Sequence, residues 1–204
     1  MSGNSIQLTP YLVTVGRDCP DLNYAALKEM GVVGAVIEAG RLYDVIHMRT
    51  DFANPNLDRQ VRAAEAADLP IGLYIVATAR NSAEAKDEVK QFVSVIRRYR
   101  PTLGYWFMLK LSGTQVGNDI VINAYHQQAL KSGIASNIGL YADRKQLAKV
   151  SWDKHYSNWH LWLNDHLDSL EHLDKIVTPA MFNLDPADDV GAYVSPDVLG
   201  IGGE

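Results

Sequence analysis

The sequence predicts an α/β fold, a (β/α) TIM-like barrel of eight strands and five helices in which the last helices are reduced. Three observations lead to this prediction. Eight short apolar runs, of the kind that form buried parallel strands, occur along the 204 residues. The first five runs are separated by segments with helical spacing, and the segments between the last runs are short and acidic. A doubly wound open sheet is the alternative architecture, and the number of strands favours the barrel.

The strand candidates define one domain that spans residues 1–204, a length that can bury a sizeable core. The strongest candidate is 105–111, an almost unbroken apolar and aromatic run near the middle of the chain. The other seven are 11–15, 34–39, 71–76, 138–142, 160–164, 178–183 and 192–195, of which the last has the weakest pattern. Because ligands bind at the carboxyl ends of parallel strands, a site is expected where 105–111 ends.

Apolar residues at helical spacing predict a helix after each of the first five strands. The clearest of these helices follows Ser82, which is a good N-cap residue. Its buried stripe consists of Ala85, Val89, Phe92 and Ile96. Asp21 is predicted to cap the short first helix, and Asp143 the short fifth helix.

Composition excludes several classes of protein. The formal net charge is −5, with acidic and basic residues mixed along the chain, so the sequence carries no nucleic-acid footprint. Cys19 is the single cysteine, which excludes an internal disulfide and a zinc–cysteine site. Residues 1–10 are polar, and no apolar run reaches membrane-spanning length. We therefore expect a soluble protein without a signal peptide or a membrane partner, synthesised in the cytoplasm.

The sequence contains no recognisable motif for a cofactor or a metal. Its glycines lack the spacing of a phosphate-binding loop, and no G-x-S-x-G elbow is present. Four histidines lie close together in the sequence without forming an H-E-x-x-H arrangement, namely His155, His160, His166 and His172. We therefore expect no bound metal and no cofactor.

Aromatic residues near the predicted strand ends are candidates for binding a sugar. They are Tyr74, Trp106, Tyr141 and Trp162. In a barrel they would line the rim, where aromatic rings can pack against the apolar faces of sugar rings. Aromatic residues also fill protein cores, and the pattern alone leaves both interpretations open.

Several segments, taken in order, resemble the glycoside hydrolase family 25 lysozymes, the Chalaropsis-type muramidases. Residues 21–32, DLNYAALKEMGV, resemble the family's first helix, I-D-W/F-x-x-V/L-K-x-x-G-V/I. Residues 35–40, AVIEAG, resemble its second strand, V-I-I-R-A-G, and residues 62–74, RAAEAADLPIGLY, resemble its second helix and third strand. Likenesses at 79–86, 138–141 and 161–163 extend the resemblance over nearly the whole chain.

The resemblance implies a fold and an activity. The family's fold is a barrel with five helices and three bare final strands, and its members cleave the glycan of peptidoglycan. This cleavage uses two carboxylates, one to protonate the leaving oxygen and one to stabilise or attack the developing oxocarbenium ion. The family carries an Asp and a Glu two residues apart on its fourth strand, and further Asp residues on its first and last strands.

This sequence lacks the fourth-strand acids. Aligned on Trp106, the pair falls on Met108 and Lys110, and in a register shifted by one residue it falls on Leu109 and Leu111. Methionine and lysine cannot replace a general acid that stays protonated near neutral pH. We therefore expect most of the family's rate enhancement to be lost.

The acids of the first and last strands are replaced as well. The first-strand Asp falls on Thr14 and the last-strand Asp falls near Ser195, with Asp197 close by. Other carboxylates at predicted strand ends or in upper loops are candidates for a relocated site, namely Asp18, Glu38, Asp51, Asp119 and Asp165.

Glu38 stands where the family usually has Arg, and Lys110 where it has Glu. We hypothesise that these two residues face each other inside the barrel as a charge-swapped pair. The reason is that an unpaired lysine on a buried strand is costly.

Two functions from different classes follow. The first is a catalytically degenerate lysozyme-like barrel that binds peptidoglycan or serves as a structural component, for example of a phage tail or a related particle. Its partners would be peptidoglycan glycan or other proteins of an assembly, at a virion or at the cell wall. The alternative is an active N-acetylmuramidase that uses relocated carboxylates. The replaced acids favour the first function, and the sequence does not indicate the oligomeric state.

Overall fold

The architecture is taken from a computed structural model, which describes residues 11–19, 21–29, 31–41, 52–134, 138–142, 144–151, 160–163 and 180–183. These residues contain seven strands and five helices. The strands are β1 (Tyr11–Val15), β2 (Val32–Arg41), β3 (Ile71–Ala77), β4 (Tyr105–Leu109), β5 (Ile138–Ala142), β6 (His160–Leu163) and β7 (Ala180–Asn183). The helices are α1 (Tyr24–Glu29), α2 (Leu57–Ala66), α3 (Ser82–Ile96), α4 (Gln115–Lys131) and α5 (Arg144–Leu147).

All seven strands belong to one parallel sheet, in the order β6-β5-β4-β3-β2-β1-β7. Strands β1 to β6 lie side by side in chain order, and β7 returns to pair with the free edge of β1. A parallel sheet needs a crossover between neighbouring strands, and the predicted helices supply it between the first five. The predicted α/β class and the alternation of its elements are confirmed. The predicted eighth strand, 192–195, lies outside the described residues.

Two predicted N-caps are wrong by one or two residues. Asn81, and not Ser82, caps α3, because its side-chain oxygen accepts hydrogen bonds from two backbone N–H groups of the first turn at 3.0 Å. Asn23, and not Asp21, accepts the backbone N–H of Ala26 at 3.0 Å where α1 begins. In both helices the residue directly before the first turn has a short amide side chain that reaches back to the unsatisfied N–H groups. The predicted cap Asp143 lies outside the described residues.

The sheet separates two apolar cores, because side chains alternate between its faces. One face packs against the helices and shares with them the larger core. Phe92 of α3 lies at its centre, with its ring edge-on to Tyr105 and Phe107 at centroid distances of 5.9 Å. The opposite face, called the inner face below, carries a second cluster made of Leu12, Val36, Tyr74, Leu103, Trp106, Met108 and Tyr141.

The floor of the inner face, at the amino ends of the strands, is closely filled. The Trp106 indole N–H donates to the Leu103 carbonyl at 2.8 Å. The Leu103 side chain packs in the inner-face cluster. A Cβ on Gly34 would come within 2.7 Å of the Leu103 side chain. Gly34 is therefore required for the close approach of Leu103 rather than for any backbone angle. In the described part of the chain, no helix is long and apolar enough to cross a membrane.

Phe92→Ala tests the core between sheet and helices. Because Phe92 is fully buried and contacts two further aromatic rings, we expect the free energy of unfolding to fall by about 3–5 kcal/mol. Chemical denaturation monitored by circular dichroism measures it. Val116→Ala is the control, since Val116 is 71% exposed and its truncation should change stability by less than about 0.5 kcal/mol. Equal losses in the two variants would contradict this packing.

Candidate functional site

The carboxyl ends of β1 to β5 meet at one edge of the sheet, and this edge is where the sequence predicts a site. The ladder sets which inner-face residues lie at the same level. Glu38 pairs with Tyr74, and Tyr74 pairs with Trp106. Met108, two residues beyond Trp106, pairs with Tyr141 of β5. The middle of the inner face is therefore rich in aromatic side chains.

Glu38 is the principal charged group of the inner face. It is fully buried, and its carboxylate accepts four N–H groups from two arginines. Arg17, 1% exposed, donates its backbone N–H and its Nε at 3.1 Å each, and Arg41 donates its Nε at 2.6 Å and a second guanidinium N–H. Buried charges are tolerated when they are paired and hydrogen-bonded, and this cluster meets both conditions.

A second layer of polar contacts holds the Arg17–Glu38–Arg41 cluster in place. The Nη2 atom of the same Arg17 guanidinium group donates to the Phe52 carbonyl at 3.0 Å. The backbone carbonyl of Glu38 accepts the Asn54 side-chain amide at 2.7 Å. Gln60 accepts the same Asn54 amide at 2.9 Å and donates to the Gly16 carbonyl at 3.0 Å. The ends of β1 and β2 are thereby tied to the segment that precedes α2 and to α2 itself.

The hypothesised pair of Glu38 with Lys110 is wrong. Glu38 is bound by Arg17 and Arg41, and the Lys110 side chain is exposed. The physical reason is proximity along and beside the strand, because Arg41 is three residues after Glu38 and Arg17 follows the neighbouring β1. A guanidinium also matches a carboxylate with two parallel donors, which an ammonium cannot do. The signal in the sequence was an arginine just beyond each of the first two strands.

The packing around β4 shows which of the two compared registers faces inwards. Met108 belongs to the inner-face cluster, and Leu109 and Leu111 belong to the core on the helix side. The Lys110 N–H continues the ladder by donating to the Ala77 carbonyl at 3.0 Å. Alternation therefore puts Lys110 on the inner face, at the carboxyl edge. In the alignment on Trp106, the residues compared with the family's Asp and Glu are Met108 and Lys110, and these are the residues that face inwards.

Thr14 of β1 lies at the level of Val36 on one side and Asn183 on the other. Its hydroxyl is buried and has no hydrogen-bond partner among the described residues. Such a group loses its hydration without compensation, at a cost of about 1–3 kcal/mol. A hydroxyl at this position supplies neither the charge nor the acidity of an aspartate.

The predicted sugar-binding aromatics are packed into the inner face. Tyr74, Trp106 and Tyr141 are 4%, 3% and 5% exposed. Trp106 also uses its indole N–H within the floor. These rings therefore do not form an open stacking surface in this structure. The side chain of Trp162 lies outside the described parts, although its backbone pairs with Tyr141 in the ladder.

Three of the candidate relocated acids, Asp18, Glu38 and Asp119, lie in the described part of the chain. Asp18 is exposed in the loop after β1, and Asp119 of α4 accepts the Ser151 N–H at 2.8 Å. Glu38 is committed to its two arginines. The other predicted positions, Asp51, Asp165, Ser195 and Asp197, lie outside the described residues. Within the described residues no group of three His, Cys, Asp or Glu side chains is arranged to hold a metal ion.

Sequence analysis missed Glu88, a fully buried carboxyl on α3. It accepts the Thr78 hydroxyl at 3.0 Å and the Thr78 backbone N–H at 3.3 Å, and it accepts the hydroxyl of Tyr125 on α4. Tyr125 in turn accepts the Ala79 N–H at 3.2 Å. This network anchors the loop after β3 to two helices. The signal was a glutamate among the apolar residues of the predicted buried stripe.

Burial raises the pKa of Glu88, because removal from water disfavours the charged form. The hydrogen bonds from Tyr125 and Thr78 act in the opposite direction and offset part of this effect. Burial also raises the pKa of the Tyr125 hydroxyl, and the adjacent Glu88 charge adds to the increase. Tyr125 therefore remains a hydrogen-bond donor at physiological pH.

The carboxylates of the described inner face can be compared with the requirement of glycoside hydrolysis. Glycoside hydrolysis needs two carboxyl groups about 5 to 9.5 Å apart, one of which delivers a proton. On the described strands of the inner face the only carboxylate is Glu38, whose oxygens are occupied by arginine N–H groups. The described residues of this face therefore do not provide an acid together with a nucleophile.

Comparison with known proteins gives structural likeness without sequence likeness. No family model and no curated protein matches the sequence. Among solved structures, the chain is similar to GHIP, a glycosyl hydrolase 25 of Streptococcus pneumoniae, with a TM-score of 0.71 and 13% identity over 92% of this chain and 87% of that one. It is similar to a muramidase from Acremonium alcalophilum, with a TM-score of 0.70 and 14% identity over 93% and 98% of the two chains.

The chain is also similar to part of a larger protein, the modular autolysin LytC of Streptococcus pneumoniae in complex with a synthetic peptidoglycan ligand. The TM-score is 0.62 at 16% identity, and the match covers 78% of this chain and 38% of LytC. The chain thus spans well under half of LytC. Together these likenesses confirm the predicted glycoside hydrolase family 25-like fold.

Glu38→Gln tests the arginine cluster. Removing the negative charge leaves Arg17 buried without its counter-ion, and we expect unfolding free energy to fall by about 3–5 kcal/mol. Lys110→Gln is the matched variant and should change it by less than about 0.5 kcal/mol. Chemical denaturation of both single variants and the double variant gives the coupling energy, which we expect to be near zero. A coupling above about 1 kcal/mol would restore the Glu38–Lys110 pair.

Glu88→Gln tests the buried carboxyl through its pH dependence. The pKa of Glu88 is higher in the folded than in the unfolded state, so its protonation favours folding. This contribution is fully present below the unfolded value of about 4.3 and is lost as the pH rises through the folded-state pKa. The stability of the wild type relative to Glu88→Gln should therefore fall over that interval and then level off. Urea denaturation between pH 4 and pH 8 measures the difference.

The control for loss of one negative charge is Glu65→Gln, on the exposed side of α2. If the stability of the wild type relative to Glu88→Gln instead rose with pH, the folded-state pKa of Glu88 would be lowered and the assignment reversed.

Proposed function

We propose that this protein is a non-catalytic, lysozyme-like barrel that binds the glycan of peptidoglycan. The observation that carries the proposal is the replacement of inner-face acids: Met108 and Lys110 occupy the fourth-strand positions, and Glu38 is enclosed by two arginines. A pair of free carboxylates is the requirement of the reaction, and the described inner face lacks it. The fold is separable from the chemistry, since one fold hosts many functions.

Binding of peptidoglycan is supported by the structural neighbours. LytC was solved with a peptidoglycan ligand, and the other two matches carry the names of a glycosyl hydrolase and a muramidase. We propose that the same edge of the sheet contacts glycan here, through its loops and polar groups. The buried aromatics Tyr74, Trp106 and Tyr141 would support that surface from below rather than stack on sugars.

The proposal extends to the architecture and setting of the protein. We propose that residues 1–204 form one domain in which the sheet closes into an eight-stranded barrel with reduced final helices. The pairing of β7 with β1 supports closure, because it returns the chain to its first strand. A location at a cell wall, or on a phage particle that meets one, fits a glycan-binding barrel.

The test measures hydrolysis and binding on the same purified peptidoglycan. We expect the wild type to release reducing sugar at least about 10⁴-fold more slowly than an active muramidase, because the general acid and its partner are both replaced. We expect the protein to pellet with the insoluble peptidoglycan. Met108→Asp combined with Lys110→Glu is assayed beside it, to show whether restored acids on β4 recover any sugar release.

Each result has a distinct meaning. Sugar release by the wild type at the rate of a muramidase would overturn the non-catalytic assignment and point to relocated carboxylates such as Asp18. Absence of both release and pelleting would overturn glycan binding and leave a structural role in an assembly.

A further inference from the structure

We propose that the exposed face of α4 is a contact surface for a second copy of this chain, and that the two copies pair through antiparallel α4 helices. The contact consists of five residues, called the α4 seam below: Val116, Ile120, Asn123, Gln127 and Leu130. The seam lies on the outer side of the helix layer, away from the inner face of the sheet, so the proposal does not depend on glycan binding.

The first observation is where exposed apolar side chains occur. In the described part of the chain, the exposed large apolar side chains are Val116, Ile120 and Leu130, at 71%, 55% and 50% exposure. All three belong to α4. Single apolar residues scattered over a surface need no explanation, whereas their concentration on one helix indicates a contact surface.

The second observation is the spacing of the seam. Its successive members are separated by four, three, four and three residues. At 3.6 residues per turn these positions fall within about 80° of the helix circumference. The same alternation of steps is the repeat by which two helices pack side by side. The opposite side of α4 already packs in the core between sheet and helices, through Val121, Ile122, Tyr125 and Ala129.

The third observation is the lack of charge on this face. Apart from the seam, the exposed residues of α4 are its two end residues, Gln115 and Lys131. The exposed faces of α2 and α3, in contrast, each carry three charged side chains, which are Arg59, Arg62 and Glu65 on α2 and Lys86, Asp87 and Lys90 on α3. Helix faces that remain in water are usually charged, and charged residues are depleted at the centre of interfaces.

The seam is complementary to itself. In an antiparallel pair, one register places Ile120 opposite Leu130 of the second copy and Asn123 opposite Gln127 of the second copy. Apolar side chains then meet apolar side chains, and each amide meets an amide that can accept and donate a hydrogen bond. A shift of seven residues in either direction places amides opposite aliphatic side chains. Polar residues in such a seam fix the register, because opposite an apolar group they lose their hydration without compensation.

The charges next to the seam favour the antiparallel orientation. A parallel pair would bring the two Asp119 side chains to one level and the two Lys131 side chains to another. The antiparallel register instead places Asp119 at the level of Lys131 of the second copy. Each charge is then about 18 Å along the helix axis from its own counterpart. The positive end of one helix dipole also lies beside the negative end of the other.

The size of the seam predicts a weak dimer. The seam is about 21 Å long, from fourteen steps of 1.5 Å, and a helix is about 10 Å wide. Each copy therefore contributes about 200 Å², well below the roughly 800 Å² per partner of a stable complex. We expect a reversible dimer with a dissociation constant of the order of 100 µM.

The pairing has a geometric consequence for the carboxyl edge of the sheet. In a parallel sheet the crossover helix runs opposite to the strands, so α4 begins near the carboxyl edge. Antiparallel α4 helices therefore direct the carboxyl edges of the two copies in opposite directions. With glycan bound at this edge as proposed above, the dimer joins two glycan strands. This consequence rests on the proposed function, and the dimer itself does not.

Sedimentation equilibrium of the full chain, without glycan, at about 10 µM to 1 mM tests the dimer, since this range brackets the expected dissociation constant. Ile120→Lys and Leu130→Glu each place a charge opposite an apolar side chain, and we expect each to raise the dissociation constant at least about tenfold. Ala66→Lys, which adds the same charge at an exposed position of α2, is the matched control and should associate like the wild type. Circular dichroism checks that the fold of each variant is intact.

An equimolar mixture of Ile120→Lys and Leu130→Glu tests the register. In the mixed antiparallel dimer the introduced lysine faces the introduced glutamate, and the other layer keeps its original isoleucine and leucine. We expect the mixture to associate within about threefold of the wild type, because an exposed ion pair contributes little and the intact layer is restored. In a parallel pair the two introduced charges would not meet, and the mixture would stay as weak as the single variants.

Each contrary result overturns a stated part of the inference. A wild type that remains monomeric at about 1 mM, far above the expected dissociation constant, would overturn the dimer and leave this face of α4 to another protein or another segment of this chain. A dimer that Ile120→Lys does not weaken would place the contact on a different surface. A mixture no tighter than its components would overturn the antiparallel register. Because no glycan is present in these measurements, none of the results alters the proposed function.

Discussion

The buried carboxylate of Glu38 is the interaction on which the carboxyl edge of the sheet depends. It lies beside Tyr74 in the ladder, and its charge is compensated by arginines from the loop after β1 and from the end of β2. A charge in that position must be enclosed by donors, because the penalty for an unpaired buried charge exceeds the usual margin of stability. Arg17 in turn donates to the Phe52 carbonyl, and the backbone carbonyl of Glu38 accepts the Asn54 amide, so these contacts connect several loops.

The environment of Glu38 differs from that of a carboxylate that acts on a sugar. In a glycosidase the carboxylates must remain accessible to the sugar, at a set separation and with different tasks. On the described strands the inner-face carboxylate, Glu38, binds its own arginines, and Met108 of β4 and Lys110 directly after β4 carry a thioether and an ammonium group. The floor beneath is closed by Leu103 and Trp106, so the face is a packed core that ends in a charged edge.

The structural neighbours show how far a fold persists while its sequence changes. An identity of 13% accompanies a TM-score of 0.71 over 92% of the chain. The architecture depends on the repetition of buried strands and amphipathic helices, which many apolar residues satisfy equally well. A catalytic site depends on a few side chains that cannot be exchanged. Thr14, Met108 and Lys110, at positions where the sequence resemblance implies acids, are therefore compatible with this fold.

The sequence by itself determined the α/β class and the order of the elements. These follow from periodicity, because a buried parallel strand and an amphipathic helix have different repeats. Alternation put Met108 and Lys110 on one side of the fourth strand and Leu109 and Leu111 on the other, and the packing of the two leucines against the helices decided which side faces inwards. It did not determine which charges meet. Glu38 was expected opposite Lys110, and the tertiary structure joined it instead to Arg17 and Arg41. The Glu88–Tyr125 contact was decided in the same way, between helices 37 residues apart in sequence. Such contacts depend on the paths of the loops and on the distance between neighbouring elements, which local sequence patterns do not encode. The burial of a helix face or a strand, in contrast, follows from the apolar residues of that element itself.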